Sequence, residues 1–482
     1  MARTLVRYAR GARMFWTIVS AVEVAYLITM IVVIILEKRS PISTLAWVLA
    51  LIFLPYVGLV LYFFIGPHRV RRKRMRHNRS AVEVRAQLAA EIDRHPLDVA
   101  APHRVQLATL AMRASGSLMS TAKHIEVLGG GKDTFDAIVE AIGKAKTHIH
   151  VLYYIFEGDE TGTRIRDALV ERAKAGVKVR MLTDGVGTSL SRKFRKPMRE
   201  AGIEYARFNP LALGQLLPRV HLRNHRKVVI VDGRVGFLGG INVGDEYNEA
   251  VSKRDAFRDT HVRIEGAAVR ELQFTFLEDW HFATNEVIKD KGLFPPAEPN
   301  EEQAAIIVPS GPDQEWESIE HVYFTAITQA DEFIQLTTPY FVPDDPVRVA
   351  LCSAALRGVR IEIIVPRRSD SLIVTAAARS YFDELIRAGV HIYEYPRMVH
   401  AKTCVIDGKV AIVGSANLDN RSFRLNFEVS ALFYEDVALA KLSRIFEVDK
   451  HKCRHITKKM RAKVSIPMRL AEASARLLSP LL

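Results

Sequence analysis

The stretch His225-Arg-Lys227-Val-Val-Ile-Val-Asp232-Gly decides the fold, because the chain repeats it as His400-Ala-Lys402-Thr-Cys-Val-Ile-Asp407-Gly. Both read H-x-K-x(4)-D-G. The histidines are 175 residues apart (400 − 225), and so are the aspartates (407 − 232). Gly239-Gly240-Ile-Asn242 follows the first copy and Gly414-Ser415-Ala-Asn417 the second. Two unrelated surface hairpins would not share a nine-residue pattern and the same sequel of two small residues, a spacer and Asn.

The local physics of each copy is legible. Val228 to Val231 and Thr403 to Ile406 are rich in β-branched residues, so each is expected to be a strand. Side chains two apart on a strand share a face, which sets His225 beside Lys227 and His400 beside Lys402. The Asp-Gly pair suits a tight turn, so the aspartates read as mainly structural on this ground. Lysine offers a point charge to phosphate oxygens. Neutral histidine can attack phosphorus, and protonated histidine can protonate a leaving alkoxide.

With its duplicated HKD motif the chain resembles the phospholipase D superfamily. The resemblance implies His225, Lys227, Asp232, His400, Lys402 and Asp407 as the catalytic motif residues. It also implies a phosphohistidine intermediate, no metal and no cofactor. The family habit makes His225 the nucleophile, although the sequence is symmetric enough to allow the reverse.

At 482 residues the chain is too long for one core and long enough for two catalytic halves with additions. A formal net charge of +14 favours an anionic partner, either nucleic acid or acidic lipid. Cys352, Cys404 and Cys453 are spaced for neither a disulfide framework nor a zinc site.

Two apolar stretches open the chain. Phe15 to Leu36 contains Glu23, and Leu45 to Ile65 carries no charge. Each reaches the ~20 residues a bilayer requires. No small-residue cleavage site follows the first, so a two-helix transmembrane hairpin is expected rather than a signal peptide. Four arginines precede the first stretch, and seven basic residues from Arg69 to Arg79 follow the second; only Lys38 and Arg39 lie between. The positive-inside rule then predicts a multi-pass cell-membrane protein whose catalytic body is cytoplasmic. The basic cluster would rest on anionic headgroups. Lys38-Arg-Ser-Pro41, Ala46-Trp47, Pro55 and Gly66 also resemble the N-terminal membrane region of bacterial cardiolipin synthases.

The expected organisation is a membrane hairpin with its basic flank over 1–79 and a helical connector over 80–130. A first half over 131–290 and a second over 305–482 follow. Helix, strand, helix, strand recurs in both, and Ala175-Gly176-Val177 and Ala201-Gly202-Ile203 match Arg357-Gly358-Val359 and Ala388-Gly389-Val390. The fold class is therefore α/β, with two tandem phospholipase D-like halves whose mixed sheets are flanked by helices. Juxtaposition of the two motifs follows from the resemblance, not from periodicity. Gly202 precedes His225 by 23 residues, whereas Gly389 precedes His400 by 11. The 12 extra residues (23 − 11), around Pro210 to Pro218, are apolar and read as a surface loop or a lipid-contacting lid. The C-terminal stretch from Arg469 reads either as an amphipathic helix on the membrane or as a packing helix.

A catalytic imidazole needs an acceptor on its second nitrogen. Asp259 and Glu428 stand at similar places after the two motifs, and the resemblance pairs them with the histidines across the halves. It also makes Asn242 and Asn417 phosphate-binding. Gly414-Ser415-x-Asn417-x-Asp419-x-Arg421-Ser422 and Thr338-Pro339-Tyr340-Phe341-Val342-Pro343 resemble phosphatidyl-transferring members. Tyr153, Tyr154 and Phe156, at a strand end, read as core aromatics. The function implied is that of a cardiolipin synthase, joining two phosphatidylglycerols with release of glycerol. A phospholipase D acting on water and an HKD-type nuclease are the alternatives. Partners are expected to be phosphatidylglycerol and anionic membrane lipids, without nucleic acid. The oligomeric state is not legible.

Overall fold

The computed structural model describes residues 2–36, 41–58, 62, 84, 102–210, 222–296, 298, 302–434 and 436–479. It divides into two units, Met1–Arg71 and Arg72–Leu482. The 69–79 basic cluster, the Lys38-Arg39 loop and nearly all of the apolar insert before His225 lie outside the described residues.

In the first unit, α1 runs from Ala2 to Leu36 and α2 from Pro41 to Phe53. Met14–Leu36 within α1, 23 residues whose mean hydropathy reaches 2.6, is long and apolar enough to cross a membrane. Its apolar side chains, Phe15, Trp16, Ile28 and Ile35 among them, are exposed, as lipid-facing groups would be. The expected second span is overturned: among the described residues only this one helix qualifies. Pro55 interrupts this stretch: its missing N–H leaves the Leu51 carbonyl without its helical donor, so α2 ends at Phe53 and a separate helical turn follows over 55–58. At ~1.5 Å per residue, α2 covers roughly 20 Å against a ~30 Å hydrocarbon core. The multi-pass assignment falls with it, as does the cytoplasmic placement that required both hairpin ends on one side.

The second unit holds two matching mixed sheets. The first is built from β2 (His124–Leu128), β3 (His148–Tyr153), β4 (Lys178–Asp184), β5 (Glu204–Phe208), β6 (Lys227–Val231), β7 (Val235–Gly239) and β8 (His261–Glu265). Their order is β2-β8-β7-β6-β3-β4-β5, with β3, β4 and β5 parallel and the rest antiparallel. The second sheet repeats this around β10 (Phe333–Thr337), β12 (Arg360–Pro366), β13 (His391–Tyr395), β14 (Thr403–Ile406), β15 (Val410–Gly414) and β17 (Glu428–Phe433). The two motif strands, β6 and β14, run antiparallel to β3 and β10 at equivalent places.

Alternation along the strands fixes the layers. Val228 and Ile230 of β6 share one core with Val405 of β14, Val413 of β15 and Val429 of β17, so the sheets pack face to face. Val229 and Val231 face outward onto helices of the first half, and Cys404 and Ile406 onto those of the second. Each fully buried Val or Ile contributes roughly 1.5–3 kcal/mol, and this inner layer is what binds the halves together.

The stretch expected as a helical connector contains helix Pro102–Ser115 and then two strands, β1 (Met119–Ala122) and β2. Strand β1 pairs with β9 (Gln303–Ser310) of the second sheet, while β2 pairs with β8 of the first. The lead-in to the first half therefore fastens both sheets. At the other end, helix Ile466–Arg476 packs along helix Leu372–Ala388, with Arg476 over the Tyr381 ring, so at least one face of it is a packing face.

Candidate active site

Each motif enters its strand by pairing with the other half. His225 N donates to Phe427 O at 2.9 Å, and Phe427 N donates to Arg223 O at 2.9 Å. The counterpart is His400 N to Arg258 O at 2.7 Å, with Arg258 N to Met398 O at 3.0 Å. Phe427 and Arg258 immediately precede Glu428 and Asp259. This ladder sets each carboxylate against the histidine of the opposite half. His225 Nδ1 lies 3.0 Å from both Glu428 oxygens, and His400 Nδ1 lies 2.7 Å from Asp259 Oδ2. Both carboxylates are fully buried.

The small residues after each motif make room for these acids. A Cβ on Gly240 would collide with the Asp259 carboxylate. At the equivalent place Ser415 Oγ donates to Glu428 Oε2, and Asn426 Nδ2 reaches Glu428 Oε1 at 3.1 Å.

Burial dominates the electrostatics. It lowers the pKa of His225, against the pull of Glu428. Burial, with Lys402 close by, carries His400 down to about 3. Both imidazoles are thus neutral at pH 7. With Nδ1 on a carboxylate, each keeps Nε2 for chemistry. Burial also pushes Lys227 well below the usual lysine range and Lys402 down to about 8. Lys227 Nζ donates to His225 O at 2.6 Å, and Lys402 Nζ donates to His400 O. Burial opposes ionisation of Asp259 and Glu428, yet the surrounding Lys and His hold both below ordinary carboxyl values.

The motif aspartates are elsewhere. Asp232 accepts from Lys146 N, Thr147 N and His148 N at 2.7–3.0 Å, and Asp407 from Asp331 N, Glu332 N and Phe333 N at 2.8–2.9 Å. They pin each turn to the start of β3 or β10. Both have positive φ, 54° and 53°, a conformation Asp tolerates better than most residues. At ~3.3 Å per residue Asp232 stands roughly 16 Å along the strand from Lys227. Placing Asp232 and Asp407 among the catalytic groups therefore does not fit their positions; they hold backbone.

A cavity of about 450 Å³ opens between the halves, and His225, His400, Asn242 and Asn417 all line it. Asn242 Nδ2 donates to Tyr247 OH at 2.8 Å, and Asn417 Nδ2 to Asp419 Oδ2 at 3.2 Å. Tyr153 and Phe156 are core aromatics, whereas Tyr154 lines the cavity and stands edge-on to the His225 ring at 4.9 Å. Tyr247 does the same for His400 at 5.3 Å. Sequence reasoning missed Arg223 as a lining residue. Its signal was parity, since Arg223, His225 and Lys227 alternate along one extended segment. Among the described residues no group of three His, Cys, Asp or Glu side chains is arranged to hold a metal ion.

Comparison with known proteins agrees with this architecture. Residues 138–280 and 323–450 match the family described as "Cardiolipin synthase, PLD-like domain", and residues 24–67 match "Phospholipase_D-nuclease N-terminal". Cardiolipin synthase 1 of Bacillus anthracis is 41% identical over 463 residues, 93% of this chain and 91% of that protein. The cardiolipin synthase of Geobacillus kaustophilus is 41% identical over 459 residues, with the same coverage of 93% and 91%. The crystal structure of phosphatidylserine synthase from Haemophilus influenzae shares the fold, with a TM-score of 0.59 at 16% identity over 78% of this chain and all of that one. Matched over its length by cardiolipin synthases and over both halves by the family itself, the chain belongs to the phospholipase D-like cardiolipin synthase family.

Proposed function

We propose that this phosphatidyltransferase of the phospholipase D superfamily joins two phosphatidylglycerol molecules into cardiolipin and releases glycerol. One observation carries the reading: two histidines from two halves line one cavity, each held through Nδ1 by a buried carboxylate of the other half.

In the first step, Nε2 of one histidine attacks the phosphorus of the donor lipid. The bond from phosphorus to the terminal glycerol oxygen breaks, and the other histidine delivers a proton to that oxygen. The arriving phosphodiester supplies the negative charge that lets this second histidine take up the proton it gives. Lys227, Lys402, Asn242 and Asn417 hold the phosphoryl oxygens. In the second step, the now neutral histidine takes the proton from a hydroxyl of the second phosphatidylglycerol. That oxygen attacks phosphorus, the P–N bond breaks, and the nucleophile is restored. Two phosphatidylglycerols have become one cardiolipin and one glycerol.

The test uses the full chain in mixed micelles, with phosphatidylglycerol labelled separately in headgroup and acyl chains. Cardiolipin and glycerol should appear in equal amounts. Phosphatidic acid formed without cardiolipin would overturn the reading in favour of hydrolysis.

A further inference from the structure

The duplicated groups account for one phosphate, and the cavity is lined by two further cations, Arg223 and Arg421, together with the acids Glu246, Asp370 and Asp419. Arg223 is 2% exposed and lines the cavity. Its Nη1 donates to Asp184 Oδ1 at 3.1 Å, while Nε and Nη2, both buried, find no hydrogen-bond partner among the described residues. Two unsatisfied donors on one buried guanidinium are costly unless a ligand completes them. Asp184 is itself occupied, by the N–H groups of Val186, Gly187 and Asn224 at 2.8–3.0 Å, and so fixes the orientation of the guanidinium. Arg421, from the second half and partly exposed, lines the same cavity, and its guanidinium makes no hydrogen bond or ion pair among the described residues.

These charges break the internal symmetry. Two residues before His225 stands Arg223; two before His400 stands Met398. Four residues after Asn417 stands Arg421; four after Asn242 stands Glu246. Asn426 N donates to Arg421 O at 3.0 Å and Phe427 N to Arg223 O at 2.9 Å, while Phe427 O accepts from His225 N, so both arginines stand on the His225 side. Glu246, Tyr247 and Phe257 line the cavity too, and the rings of Tyr247 and Phe257 lie against His400. A chemistry needing one phosphate would use only what both copies share. A charge pair present on one side alone fits a second anion. The proposed acceptor brings one, a phosphodiester separated by a glycerol bridge from the hydroxyl that attacks. Guanidinium forks match such oxygens two at a time.

We propose that Arg223 and Arg421 form a second phosphate subsite, which holds the non-reacting phosphate of the acceptor and makes the enzyme select a phosphate-bearing alcohol over water or a plain polyol. This rests on the transfer reaction of the preceding subsection, and its test separates the two.

The full-length enzyme is given phosphatidylglycerol as donor and either glycerol 3-phosphate or glycerol as soluble acceptor. The two differ by the phosphate alone and carry no acyl chains, so a membrane effect common to lipids drops out. Headgroup-labelled donor follows exchange into glycerol, and labelled glycerol 3-phosphate follows transfer. Wild type should favour glycerol 3-phosphate by about tenfold or more in kcat/KM, as charged hydrogen bonds allow. Arg421→Gln, at a partly exposed residue with no partner to orphan, should lose most of that preference through acceptor KM while donor cleavage persists. Arg223→Lys, which keeps a cation beside Asp184, should do the same. No preference in wild type, or a preference that survives in both variants, overturns the subsite. A parallel loss with both acceptors assigns the arginines to the donor step and overturns it equally. Failure of the transfer reading looks different: wild type then forms no cardiolipin from phosphatidylglycerol, whatever the arginines do.

Discussion

Glu428 of the second half holds both carboxylate oxygens 3.0 Å from Nδ1 of His225 in the first, and Asp259 of the first half reaches Nδ1 of His400 at 2.7 Å. The crossing means that neither half is a complete catalyst. Each acid fixes which imidazole nitrogen bears the proton and leaves Nε2 for phosphorus. Glu428→Gln and Asp259→Asn should therefore each lower kcat by about 10²–10⁴-fold, the range of acid–base and tautomer effects. Circular dichroism and micelle binding should stay near wild type. A variant retaining full kcat would remove the orienting role.

The pH profile follows from the lysines. Burial carries Lys402 down to about 8, so its charge fades as pH rises through that value in the empty enzyme. In the proposed mechanism the charged form is the one that holds phosphate. Because kcat/KM reports free-enzyme ionisations, it should fall on the alkaline side near pH 8, while kcat, measured with phosphate bound, should fall later. In Lys402→Arg the guanidinium stays charged, so the alkaline limb should disappear even if the maximum is lower. A limb unmoved in that variant would assign the titration to another group.

What was readable in advance was the material that repeats. The two H-x-K-x(4)-D-G stretches located β6 and β14 and put His225 beside His400 through family resemblance. The apolar run from Leu45 to Ile65 has the length of a second span, and Pro55 in it predicts a kink, but sequence does not show that the kink would end helix α2 at Phe53. Residues 119–128 were passed over as connector because their partners, β9 and β8, lie more than a hundred residues away, and strand pairing at that range leaves no local mark. Arg223 shares the parity of His225 and Lys227, but parity alone does not mark it as a ligand group. Its neighbour Asp184 and its two unpaired nitrogens exist only once the sheets are assembled.

The motif aspartates should behave as structural residues. Asp232 and Asp407 each gather three backbone N–H groups at the far end of the motif strand. Replacement by Asn leaves one acceptor oxygen and removes the charge, at a cost of about 1–3 kcal/mol for charge-assisted bonds at a partly exposed site. Asp407→Asn should lower the melting temperature while kcat per folded molecule stays close to wild type. Loss of kcat by orders of magnitude in fully folded protein would return Asp407 to the chemistry.

Chelation gives a second check on how phosphate is held. The proposed mechanism gives its oxygens to two buried lysines and two cavity-lining asparagines, and the described residues offer no cluster of metal ligands. Purified enzyme should keep its activity in EDTA at constant ionic strength. Loss restored by one divalent ion, and not by a salt that merely screens headgroups, would mean that a metal carries part of the charge.

The decisive prediction concerns the covalent stage. A direct displacement would need one base and one acid, and the acceptor would have to sit opposite the leaving glycerol from the outset. The cavity instead presents two neutral imidazoles, each with Nδ1 on a buried carboxylate of the other half, although Nδ1 of His400 also lies 2.9 Å from Lys402 Nζ. That pairing suits two displacements in sequence, in which one histidine carries the phosphatidyl group while the other exchanges a proton with each alcohol in turn. Enzyme mixed with acyl-labelled phosphatidylglycerol, quenched within a turnover and digested under alkaline conditions, should carry label on one motif peptide only, the one containing His225 or the one containing His400. Alanine at the labelled histidine should abolish both the adduct and cardiolipin formation. Alanine at the other should leave an adduct detectable with a donor whose headgroup departs without a proton, such as a p-nitrophenyl ester, because the acid is then dispensable. Inversion at a chiral phosphorothioate donor would mean a single displacement, and retention two. Inversion, together with no trapped adduct in either variant, would sink the phosphohistidine pathway.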